Sequence, residues 1–183
     1  MNQKIYVHLA EGFEEIEALA TIDILLRAEL DTVIVSVTGE KVVHSVRGVG
    51  VVCDALFEEV DYEECAMIVL PGGIPGVPNL GAHQGLCRRI REFSENPDKW
   101  IAAICAAPLI LHEQGLIEGR TLTCFPGVGD DFHEAKVVTD KVVADGKLIT
   151  SQGPGTAIEF GLKIVESLEG REKAEFIRGK LLA

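Results

Sequence analysis

The run Ile101-Ala-Ala-Ile-Cys-Ala-Ala-Pro108 constrains this chain more than any other stretch. A short apolar segment, Trp100 to Ile104, ends at Cys105, and a helix-like segment, Leu109 to Gln114, follows, with Gly115 suited to its stop. Ala103 and Ala107 flank the cysteine at minus two and plus two. A nucleophile set on a sharp strand-to-helix turn needs this pattern, because only small side chains fit beside it. Pro108 falls in the first helical turn, where its missing N–H costs nothing. The thiol would face the positive end of a helix dipole and free backbone amides, both of which favour thiolate. A buried, inert cysteine is the alternative for such a run, and the flanking alanines argue against it.

The chain has 183 residues, enough for a full core, and reads as one domain over residues 1–183. Buried-strand segments at Ile5–Leu9, Ala66–Leu70 and Trp100–Ile104 are separated by helical patterns at Glu14–Glu29, Asn79–Asn96 (Asn79 as cap) and Ala157–Leu168 (Thr156 as cap). Thr32–Val37 and Leu122–Phe125 read as further strands. Val42–Cys53 reads as a hairpin turning at Arg47-Gly48, and Val142–Thr150 as another turning at Asp145-Gly146. Arg171–Leu182 has the pattern of one more helix. Such alternation implies an α/β three-layer sandwich: a mostly parallel sheet covered on both faces, with its ligand site beyond the carboxyl ends of the strands. Four stretches then converge on that edge: Glu11–Glu17, Pro71–Gly76, Cys105 and Ser151–Thr156.

The formal net charge of −12 argues against strong binding to nucleic acid or to an anionic membrane surface. No apolar run approaches the length of a membrane span. Met1–Lys4 leads straight into the first strand without a signal-peptide pattern. Five cysteines without CxxC spacing read as reduced thiols of a cytoplasmic protein, not as a disulfide frame or metal site.

A cysteine nucleophile needs a proton manager and an oxyanion site. Pro71-Gly72-Gly73 ends a strand with two glycines, which lets backbone amides turn toward an anion. No histidine fits the first role well. His112 is seven residues beyond Cys105 on the same helix, roughly 10 Å along its axis. His8 lies inside the first strand, where a structural role is expected, and His44 and His83 sit in polar settings. His133, beside Glu134, stays open as a group that folds back. Glu11, Glu14, Glu15 and Glu17 open the first helix. Solvated dipole complements account for three of them. One turned inward beside the thiol would have its pKa raised by burial and like charge, and would keep its proton for the sulfur. The residues alone leave open which one.

At Glu11-Gly-Phe-Glu-Glu-Ile-Glu17, Leu70-Pro-Gly-Gly73, Ala102-Ala-Ile-Cys-Ala106 and Thr150-Ser-Gln-Gly-Pro-Gly-Thr156 the chain resembles the ThiJ/PfpI superfamily, nearest the branch of bacterial YajL and the parkinsonism-associated protein deglycase. The resemblance implies a flavodoxin-like, class I glutamine amidotransferase-like fold. It implies that Cys105 is the reactive thiol and Glu17 the protonated acid bonded to it. Gly72 and Gly73 match the backbone oxyanion pair, with Ala106 and Arg47 completing the oxyanion and substrate-binding set, Arg47 near the pocket of a homodimer. The implied activity needs no cofactor and no metal. It is a glyoxalase or deglycase reaction on methylglyoxal, glyoxal or their early adducts on proteins and nucleotides. The alternative is a redox-sensing chaperone that uses the same cysteine. Two departures narrow the reading. The protease-like branch has a histidine directly after its cysteine, where this chain has Ala106. Some relatives carry a histidine before a proline near the thiol, where this chain has Phe125-Pro126 beside Cys124. His133-Glu134 also lacks the spacing of an amidotransferase pair.

Overall fold

The aliphatic runs become strands because alternate residues of each pack into opposite layers. In the first strand Ile5, Val7 and Leu9 face one layer while Tyr6 and Ala10 face the other. Met67 and Val69 alternate with Ile68 and Leu70 in the same way, as do Ala102 and Ile104 with Ile101 and Ala103. This computed structural model describes residues 4–183; the lead-in Met1–Gln3 lies outside the described residues.

In chain order the elements are β1 (Lys4–Leu9), α1 (Glu15–Arg27), β2 (Thr32–Ser36), β3 (Val42–His44), β4 (Gly50–Val52), β5 (Ala55–Leu56), β6 (Cys65–Leu70), α2 (Gly76–Ala82), α3 (Gln84–Glu95), β7 (Trp100–Ile104), α4 (Pro108–Glu113), β8 (Thr121–Leu122), β9 (Lys136–Val137), β10 (Val142–Asp145), β11 (Leu148–Ser151), α5 (Ala157–Glu169) and α6 (Arg171–Leu181). The central sheet has seven strands in the order β10-β11-β7-β6-β1-β2-β5. Every pair is parallel except β10 with β11. Helices α1, α5 and α6 cover one face, and α2, α3 and α4 cover the other. The α/β sandwich expected from the alternation is therefore the observed fold. Strands β3 and β4 form the expected hairpin outside the central sheet, and β8 and β9 form a second small ladder.

Three local expectations are corrected. The Asn79–Asn96 helix is two helices. The first starts earlier, at Gly76, with Pro78 in its first turn. The break falls at His83, whose Nδ1 accepts from Leu86 N and so starts α3. Asn79 caps nothing; its side-chain amide donates to the Glu11 carbonyl and ties α2 to the loop after β1. The Leu122–Phe125 strand stops at Leu122. Thr156 flanks α5, but its hydroxyl bonds the Gly153 carbonyl and Ser151 instead of a helix amide. Among the described residues no helix is long and apolar enough to cross a membrane.

Candidate active site

Adjacent strands β1, β6, β7 and β11 deliver their carboxyl-terminal loops to one place, as the parallel topology requires. The loops are stitched together by backbone. Glu14 N donates to the Gly72 carbonyl (2.9 Å), Gly76 N to the Gly12 carbonyl (3.0 Å) and Cys105 N to the Ser151 carbonyl (2.9 Å). Phe125 N donates to the Cys105 carbonyl (2.9 Å). The cysteine backbone is thus held on both sides.

Cys105 has φ +66°, in the left-handed region that non-glycine residues seldom occupy. It sits directly between β7 and the turn into α4, so the elbow expected from the alanine pattern is present. Strain of this kind persists only where the surroundings over-determine it, and the two backbone bonds supply that constraint. Alone among the five free cysteines, Cys105 keeps exposed surface; the other four are buried.

Glu17 reaches the thiol from the first turn of α1. Its side chain is wholly buried. Oε2 accepts from Gly72 N at 2.8 Å, and Oε1 has no hydrogen-bond partner. The space between Glu17 and Cys105 is set by Gly72: a Cβ there would meet Glu17 Oε2 at 2.5 Å, Cys105 Cβ at 2.6 Å and the sulfur at 3.1 Å. Gly73, at φ +103°, turns the chain so that its amide faces the sulfur, and the Ala106 amide faces it from the elbow.

Burial pushes the Glu17 carboxyl up to about 7, and the charge of Glu14 adds to the rise. Burial and the neighbouring Glu17 carboxylate push the Cys105 thiol up to about 12, against the opposing pull of the Ala106 and Gly73 amides. The pair therefore holds at most one negative charge at neutral pH. This corrects the expectation of a thiol acidified outright by its helix. That helix is only six residues long, and a carboxylate lies opposite its end. Acidification requires the proton to be on Glu17. Its bonded Oε2 and free Oε1 make Oε1 the oxygen that carries it.

The other acids are not solvated as expected. Only Glu11 is, with half its side chain exposed; Glu14 and Glu15 are 10% and 15% exposed. Glu14 caps α1 by accepting from Glu17 N at 2.8 Å. Glu15 keeps one buried oxygen unpartnered, yet Glu17 is the acid whose charge reaches the thiol. Gly72 is also corrected. Its amide is given to Glu17, so it holds the acid and is not free for an oxyanion, whereas Gly73 and Ala106 point their amides at the sulfur. Arg47, at the β3–β4 turn, lies 3.5 Å from Glu14 and 3.6 Å from Glu15 of its own chain. The histidines go elsewhere. His112 pairs with Glu134 at 2.6 Å, and His8 bonds the Tyr62 hydroxyl inside the core. His133 donates its backbone N–H to the Asp131 carbonyl. Cys124 is buried, and burial raises its thiol. Sequence reasoning brought the Ser151–Thr156 loop to the site but missed the Phe125 ring that packs on its Gly153. Among the described residues no group of three or more His, Cys, Asp or Glu side chains is placed to hold a metal ion.

A cysteine on a strained elbow, a buried carboxyl beside it and a parallel sheet beneath define a class of α/β proteins. Residues 3–167 match the model of the DJ-1/PfpI family, and the chain belongs to that family. It is 38% identical to protein dj-1beta of Drosophila melanogaster, over all of this chain and 99% of that one. It is 39% identical to the glutathione-independent glyoxalase DJR-1.2 of Caenorhabditis elegans, over 89% of this chain and 87% of that one. The structure of oxidized Toxoplasma gondii DJ-1 superposes with a TM-score of 0.93 at 37% identity, covering 98% of this chain and 97% of the other. Against the Arabidopsis thaliana DJ-1 homologues B and A, the chain spans 39% and 44% of their length.

Proposed function

We propose that this protein is a cofactor-independent glyoxalase that converts methylglyoxal and related 2-oxoaldehydes to 2-hydroxy acids through Cys105. The observation that carries the reading is the Glu17 carboxyl, buried, bonded to Gly72 through one oxygen and unpartnered at the other, beside the thiol. That is a proton carrier near neutrality with nowhere to deliver its proton except the reacting atoms. The glyoxalase name of the nematode relative points the same way.

The steps balance without an oxidant. The Cys105 sulfur adds to the aldehyde carbon, C1, while Glu17 gives its proton to the new alkoxide, which the Gly73 and Ala106 amides hold as it forms. Glu17, now a carboxylate, removes the C1 hydrogen, and the electron pair passes through C1=C2 onto the ketone oxygen. Glu17 returns that proton to C2 as the C1 hydroxyl loses its own to the oxygen on C2, leaving a thioester of lactic acid. Water adds to the thioester, Glu17 takes the water's proton, and the thiolate leaves. The sum is methylglyoxal plus water to lactate and a proton. Early adducts of the aldehyde on amines and thiols enter the same route once they release it, which is the deglycase form of the activity.

The protein is further proposed to work as a cytoplasmic homodimer. Five free thiols support the compartment. Ile22 and Leu25 of α1 are buried in the chain's own core and so offer no dimer surface. Ile16 and Leu19 on α1, with Val46 and Val49 on the hairpin, are exposed apolar residues that a second copy could cover.

Purified protein mixed with methylglyoxal tests the activity, with lactate followed by NMR. Lactate should form with the natural protein and not with Cys105→Ser. Equal rates for the two proteins, or none above the protein-free solution, would reject it.

A further inference from the structure

One wall of the site is apolar and fixed. Beyond β8 the chain leaves its ladder, and the backbone of Phe125 is bonded at both ends: its amide to the Cys105 carbonyl (2.9 Å), its carbonyl to Val128 N (3.0 Å). The ring lies over Gly153. A Cβ at Gly153 would stand 3.3 Å from Phe125 Cδ2 and 3.9 Å from Glu17 Oε1. A bare glycine therefore separates the phenyl ring from the free oxygen of the carboxyl. Gly153 has φ 163°, extended backbone that any residue adopts, so conformation does not demand glycine there. What its missing side chain leaves is room. The ring itself is 47% exposed. An aromatic side chain pinned at its backbone and left half bare beside a reactive thiol has apolar surface that a ligand can cover.

We propose that Phe125 seats the carbon substituent of the substrate, so that the site takes alkyl- and aryl-substituted 2-oxoaldehydes ahead of glyoxal. The inference rests on the glyoxalase reading. With the sulfur bonded to C1 and Glu17 Oε1 serving the C1 hydrogen and then C2, the group on C2 must leave the reacting atoms beside that oxygen. Gly153 and the face of Phe125 are what it meets. Glyoxal offers only hydrogen there. A methyl group covers part of the ring, and a phenyl group stacks on it.

The test compares kcat/KM for glyoxal, methylglyoxal and phenylglyoxal, with glycolate, lactate and mandelate as the products measured. Phe125→Ala should lower the ratio of phenylglyoxal to glyoxal by about tenfold, the usual scale for lost apolar pocket contacts, with most of the change in KM. Phe125→Leu should keep most of the methylglyoxal preference and lose the aryl one. Gly153→Ala, which fills the gap without touching the ring's backbone, should lower phenylglyoxal more than glyoxal and keeps the test alive if Phe125→Ala does not fold. Turnover that falls equally for all three aldehydes, or ratios unchanged in the variants, would overturn the seat while leaving the glyoxalase reading intact. No turnover of any aldehyde by the natural protein would overturn both.

Discussion

Glu17 is asked to be an acid and a base in one cycle, and its surroundings set a pH signature that can be measured. Its folded value, about 7, lies above the ordinary 4.5 of a glutamate. A carboxyl raised in this way adds stability that is fully present below about pH 4.5 and is lost as pH rises through 7, to the extent of at most about 3 kcal/mol. Glu17→Gln keeps an oxygen for Gly72 N and an N–H for the sulfur, but carries no charge. The melting temperature of the variant should therefore gain on that of the natural protein between pH 5 and pH 8. Lactate formation should fall by about a hundredfold or more, the usual loss for a general acid–base group. Alkylation of Cys105 by iodoacetamide at pH 7.5 should rise, because the carboxylate that opposes the thiolate is gone. A variant that keeps turnover within a few fold would move the proton carrier elsewhere, with Glu15 next in line. Gly72→Ala makes a steric test of the same contact. Its methyl would collide with the Glu17 carboxyl and the Cys105 Cβ, so it should cost about 1–3 kcal/mol in urea denaturation and abolish turnover.

At the scale of elements, α1 is an arm that carries the acid, and its first turn is fixed by Glu14. Glu14→Ala removes the cap on Glu17 N and should cost about 1 kcal/mol by urea denaturation. It also removes a like charge that raises Glu17, so the acid limb of the pH–rate profile should move to lower pH. A limb that stays or moves up would contradict this electrostatic coupling. The element scale also shows what was legible beforehand. Strands β6 and β7 are buried on both faces and so advertise themselves as unbroken apolar runs, and β1 is interrupted only by His8. The elbow was readable from Ala103 and Ala107 because its steric demand is local. The burial of Glu14 and Glu15 was not, because Arg47, which meets both, is more than thirty positions away on a hairpin. The break at His83 was missed because a ring nitrogen does the capping, and the early start of α2 was signalled only by Pro78. Phe125 entered the reading as a missing histidine; only the fold lays its ring over Gly153.

For the whole molecule the open question is assembly. If Ile16, Leu19 and the hairpin valines meet a second copy, light scattering at micromolar concentration should report a dimer, and Ile16→Glu with Leu19→Glu should shift it to monomer. A natural protein that is monomeric under those conditions ends that proposal.

The order of the sheet also bears on how the chain is made. Strands β1, β2, β5 and β6 all emerge in the first seventy residues and lie side by side, so a ribosome releases a contiguous half-sheet early. Helix α1 emerges with them, but its chief packing partner is α5, where Gly161 lets Ile24 approach so closely that a Cβ would sit 2.9 Å from it. Until residue 169 is synthesised, Ile24 and Leu25 of α1 have no α5 to cover them. A nascent chain that already holds Glu17 and Cys105 is thus left with a greasy, uncovered flank, and so is any product of premature termination before Ala157.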